Sequence, residues 1–246
     1  MISRRSSSII GTALVLGASS VSSVARADDS RGATRAVAAR ERGRPYTMVE
    51  VGAGTFALPA AKVCPTGINQ CSRGEVSLAL GIRNIYEFGR FGVGAGVVWA
   101  TTLRNDTARG AADLERDHAR RYFLFEGMFR YMFAQGPRWE FWAAANVGGV
   151  RVSDAWTVKR DRKPLAGVSF LGPKASTIGT EGVAFGAGAG GAFIVVQNLS
   201  VGGHLRYMNW VLPTYARVNP TGDVASLAGR LDIFDLGFDI AYRLSL

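Results

Sequence analysis

Residues Ile233-Phe234-Asp235-Leu236-Gly237-Phe238-Asp239-Ile240-Ala241-Tyr242-Arg243-Leu244-Ser245-Leu246 decide how this chain folds. Phe234, Leu236, Phe238, Ile240, Tyr242, Leu244 and Leu246 fall on one parity, and all seven are apolar. The other parity holds Ile233, Asp235, Gly237, Asp239, Ala241, Arg243 and Ser245, with one large apolar residue among them. A period of two is that of a β-strand, whose successive side chains point to opposite faces.

Seven more segments repeat the pattern. Residues 46–57 set Val49, Val51 and Ala53 against Glu50, Gly52 and Gly54, and 75–86 set Val76, Leu78, Leu80 and Ile82 against Glu75, Ser77, Gly81 and Arg83. Residues 90–102 oppose Phe91, Val93, Val97 and Trp99 to Gly92, Gly94 and Gly96, and 121–133 oppose Phe123, Phe125, Phe129 and Phe133 to Glu126 and Arg130. Residues 138–151 oppose Trp139, Phe141 and Val147 to Glu140, Asn146 and Gly148, with Trp142 an exception on the small-residue face. Residues 181–196 and 199–209 complete the set, the first with Gly182, Gly186, Gly188 and Gly190 on its small face, the second with Gly202, His204 and Arg206. The connections alternate. They are short near 87–89, 134–137 and 197–198, and long over 58–74, 103–120, 152–180 and 210–229.

Composition narrows the choice. Of 246 residues 48% are hydrophobic and 20% charged, too apolar for a disordered chain, and the 31 glycines follow no collagen period. No run of eighteen apolar residues offers a helical membrane span. Two cysteines and two histidines are too few for a four-ligand zinc site, and neither a metal nor a cofactor is expected. Residues 1–27 read as a secretory signal peptide, with Arg4 and Arg5 ahead of a short apolar stretch and an Ala25-Arg26-Ala27 cleavage site. Losing Arg4, Arg5 and Arg26 takes the formal charge from +10 to +7. Export permits disulfides, so Cys64 and Cys71 are expected to pair in the first long loop. The Arg-rich residues 28–44 read as a solvated lead-in to a domain spanning 45–246, and no nucleic-acid partner is expected.

The two faces decide the surroundings. With the small and charged face outward, Gly92, Gly94 and Gly96 or Gly186, Gly188 and Gly190 would coat the surface with bare backbone. With the apolar face outward against lipid, the small residues sit in a narrow lumen beside Arg, Glu and Trp, and closure pairs every backbone group. An even strand count with short turns at one end and long loops at the other is the layout of a bacterial outer-membrane barrel. The expected fold is therefore all-β, an eight-stranded antiparallel transmembrane β-barrel. Tyr86, Phe133, Trp139, Phe193 and Tyr242 would form its interfacial girdle near the short turns. Glu50, Arg83, Glu126, Arg130, Glu140, His204, Arg206, Asp235, Asp239 and Arg243 would form a luminal charge network, with Arg130 and Glu140 paired across the 134–137 turn.

The final strand resembles the C-terminal assembly signal of the small outer-membrane barrels, the OmpA-like transmembrane domain and the outer membrane protein W family, in Asp235-Leu236-Gly237-Phe238-Asp239-Ile240-Ala241-Tyr242. It departs in ending on Leu246 where such barrels commonly end on Phe. The resemblance implies outer-membrane lipid and lipopolysaccharide as surroundings, and the barrel-assembly machinery as reader of the last strand. It leaves open a structural or narrow-pore protein, a small apolar-solute channel and a lipid-A-modifying enzyme. For the enzyme, His204-Leu205-Arg206 lacks the serine of the deacylase His-x-Ser pair, and Asp117-His118 in the second long loop supplies only two palmitoyltransferase residue types. No catalytic constellation is expected.

Overall fold

The computed structural model describes residues 45–63, 72–102, 106–109, 115–158, 175–218 and 224–245. Its elements are β1 (Tyr46–Val63), β2 (Ser72–Phe88), β3 (Phe91–Thr102), β4 (Asp106–Arg109), β5 (Glu115–Gln135), β6 (Trp139–Val158), β7 (Ala175–Val196), β8 (Leu199–Val211) and β9 (Arg230–Ser245). All pairings between them are antiparallel. β1 pairs β9, and β3 pairs β5, which closes the ring. The ring has eight staves because β3 and the four-residue β4 lie one after the other along β5.

The eight expected strands are present but several are longer than the alternation alone marked. β5, β6 and β7 run to 21, 20 and 22 residues, so parts of the 103–120 and 152–180 connections are strand. About 9–11 tilted residues cross the hydrocarbon layer, so these strands continue past it at the long-loop end. The tight turns hold the other end. Phe88 faces Phe91 across Gly89-Arg90, where Gly89 takes φ +64°, a left-handed conformation that other residues adopt at a cost. Bulges at Met132/Ala134 and Ile194/Val196 adjust the register beside the other two short turns.

The distribution of side chains is inverted relative to a water-soluble barrel. Arg83, Arg130, Arg206 and Glu126 are buried, while Phe238 is 78% and Val147 66% exposed. An outward surface built from Val, Leu, Ile and Phe on every long stave far exceeds the apolar patches that soluble monomers tolerate. Tyr86, Phe133, Trp139, Phe193 and Tyr242 all face outward near the short turns, as the girdle reading requires. Neighbouring rings extend that belt: Phe91 lies 5.4 Å from Tyr131 and 6.2 Å from Phe88, and Trp139 lies 5.4 Å from Phe141.

Candidate functional site

Along the axis the lumen has three zones. Nearest the short turns, Met48, Ile85, Met128, Met132, Trp142 and Ala144 form a small apolar cluster. The charges occupy the middle. Toward the long loops, sixteen buried residues including Phe56, Leu58, Tyr122, Leu124, Val152, Trp210 and Leu227 fill the section.

Eight of the ten expected residues share one network. Arg83 donates from Nε to Glu126 Oε1 at 3.0 Å, and from Nη1 to Glu50 Oε1 at 3.1 Å and Asp239 Oδ1 at 3.3 Å. Arg206 Nη1 donates to both oxygens of Glu126, at 2.7 and 2.8 Å, and its Nε to Asp235 Oδ2 at 2.8 Å. His204 bridges Asp239 (Nδ1 to Oδ2, 2.5 Å) and Asp235 (Nε2 to Oδ2, 3.3 Å). The contacts close on themselves, from Arg83 through Glu126, Arg206, Asp235, His204 and Asp239 back to Arg83. Arg130 joins from the side through Glu50 Oε2 at 3.0 Å. Every carboxylate thus meets at least one guanidinium or imidazole, which is what charges withdrawn from water require.

The other two residues, Glu140 and Arg243, form a separate bidentate pair at 2.5 and 3.1 Å near the short-turn rim. This corrects the expected Arg130–Glu140 pair. The β5–β6 register sets Arg130 opposite Ala144 and Glu140 opposite Gln135, so the two are not cross-strand neighbours. Arg130 instead lies 4.1 Å over the Trp142 ring and reaches Glu50, with Glu87 3.9 Å away. Trp142, exceptional by its pattern, belongs to the lumen and is 4% exposed.

The luminal glycines explain how so many large groups fit. A Cβ on Gly96 would lie 2.6 Å from Arg83 Cγ, one on Gly188 2.6 Å from Arg206 Cγ, and one on Gly190 2.3 Å from Trp142 Cζ2. Arg83 and Glu126 both face Gly96 in the register, so Arg83 crosses that bare position to reach its partner. Gly237 makes room for His204, whose Cε1 would be 2.6 Å from a Cβ there.

The lumen holds polar residues besides the ten charges, Asn146 and Glu75 from within the segments marked by sequence and His118, Arg120 and Asp154 from beyond them. Asn146 donates to Glu126 at 2.9 Å. At the long-loop end Glu75 accepts from Arg120 and Tyr122. There too, Asp154 Oδ1 lies 2.6 Å from His118 Nε2 and accepts Ser226 Oγ at 2.5 Å, while Asp154 Oδ2 accepts the Ser226 amide at 3.2 Å. Residue parity carried one to three positions further along β2, β5 and β6 places Glu87, Arg120, His118 and Asp154 inside. Cys64 and Cys71 lie outside the described residues.

A closed ring of eight antiparallel strands, with its charges inside and its apolar side chains outside, defines a small transmembrane β-barrel. Solved outer-membrane barrels share this fold. Neisserial surface protein A superposes with a TM-score of 0.51 at 11% identity, over 81% of this chain and 97% of that one. A major outer membrane protein from Thermus thermophilus gives 0.52 at 17% identity, over 81% and 99%. The attachment invasion locus protein Ail of Yersinia pestis gives 0.42 at 12% identity, over 81% and 99%. At these identities the likeness is one of fold. No protein-family model and no curated protein matches the sequence.

Proposed function

We propose that this protein resides in a bacterial outer membrane as a structural or narrow-pore barrel without a catalytic role. The observation that carries the reading is the filled lumen, in which a layer of mutual ion pairs is followed by an apolar layer of sixteen side chains. Eight strands enclose a space about as wide as side chains alone, and barrels with aqueous channels have 16 or more. In this reading the chain is exported with a cleaved leader, and the long loops face outward with Cys64–Cys71 closing the first. Lipid and lipopolysaccharide surround the apolar band, the barrel-assembly machinery reads the last strand, and nucleic acid has no part.

The enzymatic alternative draws little support from the outer end. His118, Asp154 and Ser226 meet there, but the carboxylate stands between serine and histidine. Activation of a hydroxyl needs the base at the hydroxyl, with the acid behind it. Fractionation, gel mobility with and without boiling, and planar-bilayer recording together test the proposal. The expected result is outer-membrane recovery, a fast-running unheated form, and rare small openings or none. Recovery in the soluble periplasm, a steady porin-like current, or a changed lipid A mass profile on expression would overturn it.

A further inference from the structure

A small cavity lies in the short-turn half of the lumen, between the charge layer and the rim. Its lining includes Met48, Glu50, Trp142, Ser200, Arg130 and Arg243. It has room for about one or two waters. Three buried polar atoms on lining residues have no protein partner: Ser200 Oγ, Arg130 Nε and Arg243 Nε. Ser200 is only 1% exposed and Arg130 2%, so bulk solvent does not serve them.

Two N–H donors and a hydroxyl on residues that line a water-sized space suit bound water, whose oxygen can accept from a guanidinium and whose O–H can donate to the hydroxyl. An anion fits poorly, because the carboxylates of Glu50, Glu140 and Asp239 line the same space against two guanidiniums. The long-loop half is different in kind. The gap beside Leu124, Ala184 and Met208 has no room for a water molecule. The Trp210 N–H there has no oxygen or nitrogen partner, and its indole is packed against the rings of Phe56 at 5.7 Å and Tyr122 at 5.5 Å.

We infer that the short-turn half of the lumen is a water-binding blind vestibule held by Ser200, Arg130 and Arg243, and that the dry apolar cluster beyond the charges is what stops passage. This rests on the closed-lumen reading and locates its barrier. Apolar constrictions block ions by excluding water, independently of whether nearby ion pairs hold.

Radiolytic hydroxyl footprinting of the folded wild-type protein in lipid tests the inference, because bound water generates the radical where it sits. Met48 and Trp142 line the vestibule, and Met208 and Trp210 lie in the dry cluster. All four are 4% exposed or less, so accessibility to bulk solvent does not separate them. The expected result is oxidation of Met48 and Trp142 at least tenfold faster than of Met208 and Trp210. Equal protection of all four would show a dry lumen and overturn the vestibule alone. Equal reactivity of all four would show water throughout, and the closed-lumen reading would fail with it.

Discussion

Replacing Glu126 by glutamine removes the charge at the centre of the network while keeping the shape of the side chain. Glu126 is 1% exposed and accepts from Arg83, from Arg206 through both oxygens, and from Asn146. Leaving buried charges uncompensated costs about 3–5 kcal/mol. Here both arginines keep another carboxylate, Arg83 through Glu50 and Asp239 and Arg206 through Asp235, so the low end applies, about 3 kcal/mol. That is about two decades in the folding equilibrium. The assay is urea unfolding and refolding in lipid vesicles, followed by gel mobility and tryptophan fluorescence. The Glu126→Gln, Arg206→Met double variant restores the balance, so its loss should fall short of the sum of the single losses by about 0.5–3 kcal/mol. A single-variant loss below about 1 kcal/mol with additive doubles would mean that water screens these charges, and the dry-network account would be wrong.

Double-mutant cycles should find Arg130 coupled to Glu50 by about 1–3 kcal/mol and uncoupled from Glu140, which answers to Arg243 instead. Gly237→Ala should cost about 1–3 kcal/mol by thermal unfolding, because its methyl group would meet the His204 ring and displace it from its two aspartates. Asp154→Ala should free the stretch that ends in Ser226, so that trypsin cuts after exposed Arg217 about tenfold to a hundredfold faster while the barrel keeps its heat-modifiable mobility. Thiol titration of the unreduced protein should find no free thiol at Cys64 and Cys71, and reduction should remove about 2.5 kcal/mol of loop-closure stabilisation without unfolding the strands.

Parity made most of the fold legible. A one-residue slip would turn every side chain of a strand to the other face, so a sequence that must keep Phe238 in lipid and Asp239 in the lumen carries its register in plain view. Nine of the ten charges named for the lumen are buried and Arg243 is half-buried. Strand ends were less legible, because beyond the lipid the outward face no longer has to be apolar. Arg121 and Arg151 face outward there, where the alternation fades although the hydrogen-bonded ladder goes on. His118 and Asp154 were missed for that reason, not for want of a chemical signal.

Partner choice inside the lumen followed a rule that local sequence states only in part. Glu50 and Arg83 are directly opposite in the β1–β2 register, and Arg206 and Asp235 in the β8–β9 register, so hairpin geometry selects both pairs. Arg130 and Glu140 are also joined by a short turn, yet the register holds them at different heights, Arg130 opposite Ala144 and Glu140 opposite Gln135, and each turns to a strand on another part of the ring, Glu50 on β1 and Arg243 on β9. What settles such contacts is the room beside each charge. Arg83 reaches Glu126 because Gly96 lies between them, and Arg206 leans over Gly188. The glycines of β3 and β7 are therefore half of the charge network, as the vacant positions that long side chains from β2 and β8 occupy. Any residue larger than glycine at Gly96 would deny Arg83 its path, and Glu126 would lose a partner although neither charged residue had changed.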